Sequence, residues 1–212
     1  MNNPIICQLG DRGAKVRVIQ RLLHVQVDGR FGMLTEEAVK DFQAAHCLTA
    51  NGIVGTKTWQ KLLGYVLRPS TRRITEIIVH CSATRTGVNV SVEDIRRWHT
   101  APVSQGGRGW SDIGYHYVIY RDGSVHEGRN VNIAGAHCYG HNTNSIGVCY
   151  VGGLARDGKT PADTRTKAQC EGLEKLLIEL RRIYPDAKIY GHRDFANKAC
   201  PCFDVHKCYP EI

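Results

Sequence analysis

Apolar side chains recur every three or four residues through the first third of the chain, a spacing typical of one face of an amphipathic helix. Three such faces follow one another: Val16, Ile19, Leu22 and Leu23; Ala38, Val39, Phe42 and Ala45; and Trp59, Leu62 and Leu63. Each face extends over only a few turns, so the pattern predicts three short helices in a compact bundle. We therefore expect residues 1–63 to form a small all-α domain.

An internal sequence repeat lies between these predicted helices. Residues 28–35 and 51–58 share the pattern Asp/Asn-Gly-x-x-Gly-x-x-Thr, and the second copy follows the first by 23 residues. Glycines permit a positive φ, and a threonine hydroxyl can cap a helix, so each copy is predicted to be a turn that leads into a helix capped by its threonine.

The pattern changes beyond residues 64–73, a segment that contains Pro69, Ser70 and three arginines and shows little apolar periodicity. We interpret this segment as a linker. Residues 74–212 then alternate between strand-like apolar runs and helical periodicity, which predicts an α/β domain. Its fold is expected to be a central mixed sheet flanked by helices.

Local signals place the elements of this second domain. Strands are predicted near residues 74–79, 115–120, 124–127, 145–151 and 188–190. Asp122-Gly123 favours a tight hairpin between the second and third of these strands. Ser91 is predicted to cap one helix, and Thr166 with Gln169 forms a capping box for a longer one that Pro185 ends.

Composition narrows the class of protein. The chain has 28 basic and 20 acidic side chains and a net charge of +8. That charge indicates attraction to an anionic polymer, either a cell wall or a nucleic acid, but no nucleic-acid-binding motif accompanies it. The nine scattered cysteines are expected to be mostly reduced thiols. Neither an export signal nor a membrane-spanning apolar run is apparent, so we expect synthesis in the cytoplasm and no stable membrane insertion.

Three side chains suggest a metal centre. His80 ends a strand-like run, His192 follows the last predicted strand, and Cys200 lies eight residues further on. Hydrolytic zinc takes three protein ligands and leaves the fourth position to water, and two imidazoles with a thiolate suit zinc better than magnesium or calcium. Cys202 competes with Cys200 for the thiolate position, and a site holding both cysteines would be closed and structural.

Residues 9–63 resemble the peptidoglycan-binding domain family in their order of helix, Asp-Gly-x-x-Gly turn, helix, Asn-Gly-x-x-Gly turn and helix. Residues 74–205 resemble the type-2 N-acetylmuramoyl-L-alanine amidases, a family that includes phage amidases and the peptidoglycan-recognition proteins. The motifs that carry the second resemblance are Ile77–Ser82, Trp110–Tyr117, Gly135–His137, Asn144–Val148 and His192–Cys200.

The resemblance implies site roles. It makes His80, His192 and Cys200 the zinc ligands, and Tyr115 matches the family's catalytic tyrosine. Lys198 is predicted to stabilise the oxyanion that forms when water attacks the amide. The resemblance places His137 in the substrate groove.

Other polar residues near the site are harder to assign. Asp112 and Asp194 are further candidates to orient a ligand imidazole. The chain contains no His-Glu-x-x-His motif, so no carboxylate is an obvious general base, and the sequence leaves Tyr115, Lys198 and the zinc-bound water as candidates for proton transfer.

The sequence therefore predicts an enzyme, a peptidoglycan hydrolase that uses zinc-activated water to cut the amide between N-acetylmuramic acid and L-alanine. The resemblance favours a phage or prophage endolysin that acts on the wall after release, with peptidoglycan as its partner. The alternatives are a recognition module that binds peptidoglycan without cutting it and a nucleic-acid-binding protein with a structural zinc. Cys200 argues against the first, and the sequence does not determine the oligomeric state.

Overall fold

The computed structural model describes residues 4–212, and the chain divides into two compact units. One unit extends to Leu67 and the other begins at Arg68. Within the described residues, every helix is too short or too polar to span a bilayer.

The first unit contains the three predicted helices: α1 (Ala14–Leu22), α2 (Met33–Ala45) and α3 (Thr56–Leu63). The predicted apolar faces contribute to its core, in which Val16, Ile19, Val39 and Trp59 are fully buried. Ala45, a residue of the second predicted face, is instead exposed. The unit is not purely helical, because β1 (Ile5–Cys7) pairs antiparallel with β2 (Val54–Gly55). Neither of these short strands shows enough alternation to be recognised from the sequence.

A buried glutamine organises each copy of the 23-residue repeat. The side-chain amide of Gln20 donates to Asp28 Oδ1, to the Arg30 carbonyl and to Thr35 Oγ1, and its Oε1 accepts from the Gly29 N–H. Gln43, 23 residues later, makes the equivalent contacts with Asn51, Ile53, Thr58 and Gly52. Both glutamines are 1% exposed. The repeat is therefore a pair of turns that are each held by a glutamine of the preceding helix.

These contacts correct two expectations about the repeat. Thr35 and Thr58 do not cap the following helices; the N-cap residues are Gly32 and Gly55, which have extended backbones, and the threonine hydroxyls accept from the glutamines instead. Only the first glycine of each copy adopts a positive φ, which is +71° at Gly29 and +73° at Gly52. The conformational freedom of glycine is needed at the turn itself.

The second unit is built on a five-stranded mixed sheet with the order β6-β5-β7-β3-β9. Its strands are β3 (Glu76–Cys81), β5 (Tyr117–Ile119), β6 (Val125–Glu127), β7 (Ser145–Tyr150) and β9 (Lys188–Gly191). All neighbouring pairs are parallel except the predicted hairpin of β5 and β6. A separate small sheet pairs β4 (Thr84–Arg85) with β8 (Gly153–Leu154). The expected central mixed sheet is confirmed.

Helices flank this sheet where the capping signals predict them. Ser91 caps α4 (Val92–Thr100) with Asp94 completing a capping box, and Thr166 with Gln169 caps α5 (Lys167–Ile183). Helix α4 packs through Val92 and Ile95 into a core cluster that includes Val118 of β5. The leucines of α5 are buried, and a short helix, α6 (Val205–Cys208), lies against β9.

The predicted linker, 64–73, lies partly in the first unit and partly in the second. The α/β unit begins at Arg68. The Ser70 N–H donates to the Tyr184 hydroxyl (2.7 Å), and the Arg72 guanidinium donates to the carbonyls of Val131, Asn142, Thr143 and Ser145. The last residues of this segment are thus fixed to the second unit by an arginine that joins three loop and strand segments.

Replacing Gln43 by Met keeps the side-chain length but removes every hydrogen bond that the Gln43 side chain makes to the turn. The Gly52 N–H and the Ile53 carbonyl then lose their partner. We expect the first unit to lose about 2 kcal/mol of stability, because a buried polar group left unpaired costs about 1–3 kcal/mol. Hydrogen exchange of peptides covering residues 28–35 and 51–58 measures the change.

The matched control is Gln60→Met, a half-buried glutamine on α3. Unchanged protection of residues 51–58 in Gln43→Met would show that the glutamine does not hold the turn.

Candidate metal centre and active site

The pairing of two parallel strands brings the histidines together. Val79 of β3 is paired with Gly191, the last residue of β9, so His80 and His192, which follow them in the chain, lie at the same carboxyl end of the sheet. Their ring centroids are 4.6 Å apart. His80 is 1% exposed, whereas His192 begins a short 3-10 turn and is partly buried. The sheet register thus sets the distance between the two imidazoles.

Cys200 reaches the same point from the loop that follows β9. Its Sγ lies 3.9 Å from His80 Nδ1 and accepts a hydrogen bond from the backbone N–H of Cys81 (3.3 Å). The possible ligand atoms of His80, His192 and Cys200 all lie within 4.8 Å of one another. The structure therefore collects the three predicted ligands in one place.

Cys202 occupies a different position. Its Sγ donates to the Gly153 carbonyl at 3.2 Å and lies 3.8 Å from the Cys81 thiol, and it is not among the clustered donors of the described residues. Burial raises the pKa of Cys202 to about 12, which keeps it a thiol. Within residues 4–212 the cluster thus has one cysteine, and the closed four-ligand alternative lacks its fourth donor.

His137 lies behind His80 as seen from the cluster. Its Nδ1 is 3.0 Å from His80 Nε2, and its Nε2 is 3.2 Å from Ser145 Oγ. Its side chain borders the cleft described below, but the residue is only 8% exposed and both ring nitrogens have protein partners. The expected substrate contact of His137 stays a prediction, and the structure adds a contact with His80 that the sequence did not indicate.

Burial keeps the histidines of this centre neutral. Burial, followed by the neighbouring His137 and His192, lowers the pKa of His80 well below 6.5. Burial likewise lowers the pKa values of His137 and His192, with Lys198 contributing to the shift of His192. Neutral imidazoles offer a free lone pair, which is the form in which histidine binds metals.

The two aspartates considered as orienting acceptors have other partners. Asp112 pairs with Arg96 and accepts from the Ile113 N–H, while Asp194 accepts from the Gly191 N–H and contacts His206. Asp194 instead closes the turn that begins at His192.

The loop that carries His137 is fixed by a residue that sequence reasoning missed. The Oδ1 of Asn142 accepts from the backbone N–H groups of His137 and Cys138. An asparagine that bridges backbone groups in a turn is a recognisable type of residue, but nothing in the spacing showed which asparagine of 142–144 would do so.

A cleft of about 500 Å³ opens beside the donor cluster. His192, His137, Tyr115 and Lys198 line it, together with His99, Arg108, Trp110, Ala136, Cys138, Tyr139, Asn142, Phe195 and Ala196. The Tyr115 ring is 5.2 Å from that of His80, and burial raises the pKa of Tyr115 well above 10. Tyr115 is therefore a neutral phenol that can donate a hydrogen bond.

The cleft wall combines aromatic and cationic groups. The Arg108 guanidinium lies 5.2 Å from the centroid of the Trp110 ring. The Nδ1 of His99 accepts from the Gly114 N–H (3.0 Å), and burial lowers the pKa of His99 to about 4. Its hydrogen is therefore on Nε2. No carboxylate is among the cleft-lining residues of the described chain.

The donors fit a zinc ion. Two neutral imidazoles and one cysteine sulfur form a set typical of zinc, and three protein donors beside an open cleft leave room for a further ligand. Cys200 Sγ also accepts a hydrogen bond from a backbone N–H, and a cysteine binds metal as the thiolate. His80, with its Nε2 against His137, directs Nδ1 toward the cluster.

A further buried histidine, His116, lies near this centre and contacts the sheet. It is fully buried, its Nδ1 accepts from the Gly147 N–H (2.9 Å) and its Nε2 lies 3.0 Å from the Ile133 carbonyl. Burial lowers its pKa to about 4. His116 is thus a neutral structural residue that links β7 to a loop.

Comparison with known proteins agrees with this geometry. Residues 70–203 match the family model of N-acetylmuramoyl-L-alanine amidases, and residues 12–62 match that of a peptidoglycan binding domain. The endolysin of Klebsiella phage KP32 is 44% identical over 132 residues, which are 62% of this chain and 83% of that relative. The endolysin of Escherichia phage T7 is 46% identical over 131 residues, 62% of this chain and 82% of that relative.

The fold has solved counterparts as well. The structure of the Ph2119 endolysin from Thermus scotoductus MAT2119 bacteriophage Ph2119 superposes with a TM-score of 0.54 at 24% identity, covering 72% of this chain and 94% of that one. The family match and the endolysin relatives identify a peptidoglycan hydrolase of the amidase class. The chain belongs to the N-acetylmuramoyl-L-alanine amidase family, which confirms the resemblance seen in its motifs.

The neutrality of His116 predicts a pH dependence of stability. Its pKa is about 4 in the folded chain and near 6.5 when unfolded, so below pH 6.5 the unfolded state binds the extra proton. The stability that this group contributes is complete above pH 6.5 and is lost as the pH falls toward 4, by at most about 1.4 kcal/mol per pH unit.

Urea unfolding at several pH values, compared between the natural chain and His116→Gln, isolates this contribution. We expect the variant to show a shallower loss of stability between pH 6.5 and 4. Equal slopes for the two chains would contradict the assignment of a neutral His116.

Proposed function

We propose that this chain is a zinc-dependent N-acetylmuramoyl-L-alanine amidase in which His80, His192 and Cys200 hold the metal. The observation that carries the proposal is the position of three zinc-type donor atoms, all within 4.8 Å of one another, beside an open cleft. Family membership supports the reaction, and the donor set supports the metal.

A zinc ion held by these residues would supply the Lewis acidity that makes water nucleophilic near neutral pH and polarises an amide carbonyl. The protein supplies the remaining requirements. The cleft positions the scissile amide, and its walls place hydrogen-bond donors and positive charge where the attacked carbonyl oxygen becomes negative. Lys198 and Tyr115 are the residues we assign to this role.

The two residues contribute differently. Lys198 is exposed and brings a positive charge to the cleft lining, whereas Tyr115 is a phenol close to His80. Both can stabilise an oxyanion by donating a hydrogen bond. The lack of a carboxylate along the described cleft makes Lys198 and Tyr115 the candidates for transferring the proton to the leaving amine as well.

The rest of the chain points to the biological setting. The first unit is of a peptidoglycan-binding type, and a catalyst held on its polymer meets a higher local concentration of bonds to cut. The net charge of +8 favours an anionic wall. Together with the phage relatives, these features support an endolysin that is made in the cytoplasm and acts on peptidoglycan after release.

Purified, zinc-loaded protein is expected to release L-alanine amino ends from peptidoglycan without producing new reducing sugar ends. Mass spectrometry of the muropeptides, with and without a chelator, measures both products and tests the metal. New reducing ends would identify a glycosidase, and full turnover of metal-free protein would remove the zinc from the mechanism.

Cys200→Ser should abolish turnover and lower the zinc content while binding to purified walls survives, because the first unit is unaltered. The control is Cys208→Ser, which changes an exposed cysteine of the same unit. A Cys200→Ser variant with normal zinc content and turnover would show that the cysteine is not a ligand.

Lys198→Met is expected to lower kcat on a muropeptide substrate by about 10²- to 10³-fold, the range found when one oxyanion donor is lost. Zinc content should remain normal, since Lys198 is not a donor of the cluster. Lys159→Met, at another exposed lysine, is the control. A rise in KM with kcat unchanged would assign Lys198 to substrate binding instead.

A further inference from the structure

We propose that His137 is a positioning residue for the metal centre, which fixes the ring of His80 and selects the nitrogen that faces the metal. This inference rests on the proposed zinc function and adds to it a residue that acts through a ligand. It differs from the substrate contact that the sequence suggested for His137.

The two nitrogens of His80 face different partners. Nδ1 lies on the side of Cys200 Sγ, at 3.9 Å, while Nε2 lies 3.0 Å from His137 Nδ1. A histidine that binds metal through Nδ1 carries its hydrogen on Nε2, and that hydrogen needs an acceptor. In the buried surroundings of His80 the adjacent acceptor is His137.

The need for a hydrogen-bond acceptor also applies to His137. To accept from His80, His137 must present the lone pair of Nδ1, so its own hydrogen is on Nε2. That nitrogen lies 3.2 Å from Ser145 Oγ, which can accept it. Ser145 is fully buried at the start of β7. The hydrogen position on each ring follows from that on the ring before it, and this series of hydrogen bonds ends at Ser145 of β7.

The His137 ring packs closely against two glycines. A Cβ atom added to Gly135 would lie 2.4 Å from His137 Cδ2, and one added to Gly147 would lie 2.5 Å from the same atom. Any side chain at either position would displace the ring. Asn142 fixes the backbone of His137, so the ring is held by both its loop and the sheet.

The chemistry of this partner matters for the centre. Orienting partners of metal-bound histidines are often carboxylates, which bring negative charge. A neutral imidazole orients the ligand without adding charge, so the charge from the protein donors remains that of one thiolate. A less negative donor set leaves the bound cation more able to polarise an amide.

The experiment measures zinc affinity by competition with a chromophoric chelator, together with the visible spectrum of the cobalt-substituted protein. His137→Phe should weaken zinc binding by about 10- to 100-fold and alter the cobalt spectrum, as found for the loss of an orienting partner. His137→Gln, whose Oε1 can accept from His80, should recover part of the affinity. Ser145→Ala should cause a smaller loss in the same direction.

The matched control is His126→Phe, a half-buried histidine on β6 whose ring stacks on Tyr120. It should leave zinc affinity and the cobalt spectrum unchanged. Thermal unfolding of each metal-free variant separates a general loss of structure from a change at the centre.

Wild-type zinc affinity and an unchanged cobalt spectrum in folded His137→Phe would overturn the inference. If that variant does not fold, normal affinity in both His137→Gln and Ser145→Ala, with the same spectra as the natural chain, would overturn it equally. Failure of the natural chain to bind zinc would instead overturn the proposed function, so the two ideas are tested separately.

Discussion

The parallel pairing of β3 with β9 is the constraint on which the candidate centre depends. Their register places Val79 beside Gly191, and the residues that follow are the two histidines. Because side chains alternate between the two faces of a strand, a slip of one residue would turn one imidazole to the opposite face of the sheet. The backbone hydrogen bonds between β3 and β9 therefore determine whether two candidate ligand atoms meet.

Buried polar side chains perform the same kind of task in both units. Gln20 and Gln43 satisfy the backbone groups of the repeated turns, and Arg72 joins carbonyls of separate segments in the α/β unit. A buried polar group that finds all its partners specifies one arrangement, because alternatives leave donors or acceptors unpaired. These residues determine the geometry of loops that apolar packing alone would leave undefined.

The electrostatic character of the cleft follows from its lining. It combines the neutral imidazoles of His99, His137 and His192 with the cations Lys198 and Arg108, and the described lining has no carboxylate. Such an environment favours a group that becomes negative during the reaction. The absence of a His-Glu-x-x-His motif in the sequence and the composition of the cleft thus agree.

The sequence by itself determined the features that depend on near neighbours in the chain. Helical periodicity, the N-cap at Ser91, the capping box at Thr166, the hairpin at Asp122-Gly123 and the types of donor in the centre were all readable, since each acts within a few residues. The tertiary structure alone decided that Cys202 turns toward Gly153, that Gln43 holds a turn and that His137 lies against His80. These contacts join side chains from segments that lie far apart in the sequence, or side chains whose direction is set by the geometry of a loop. No local sequence pattern specifies such contacts.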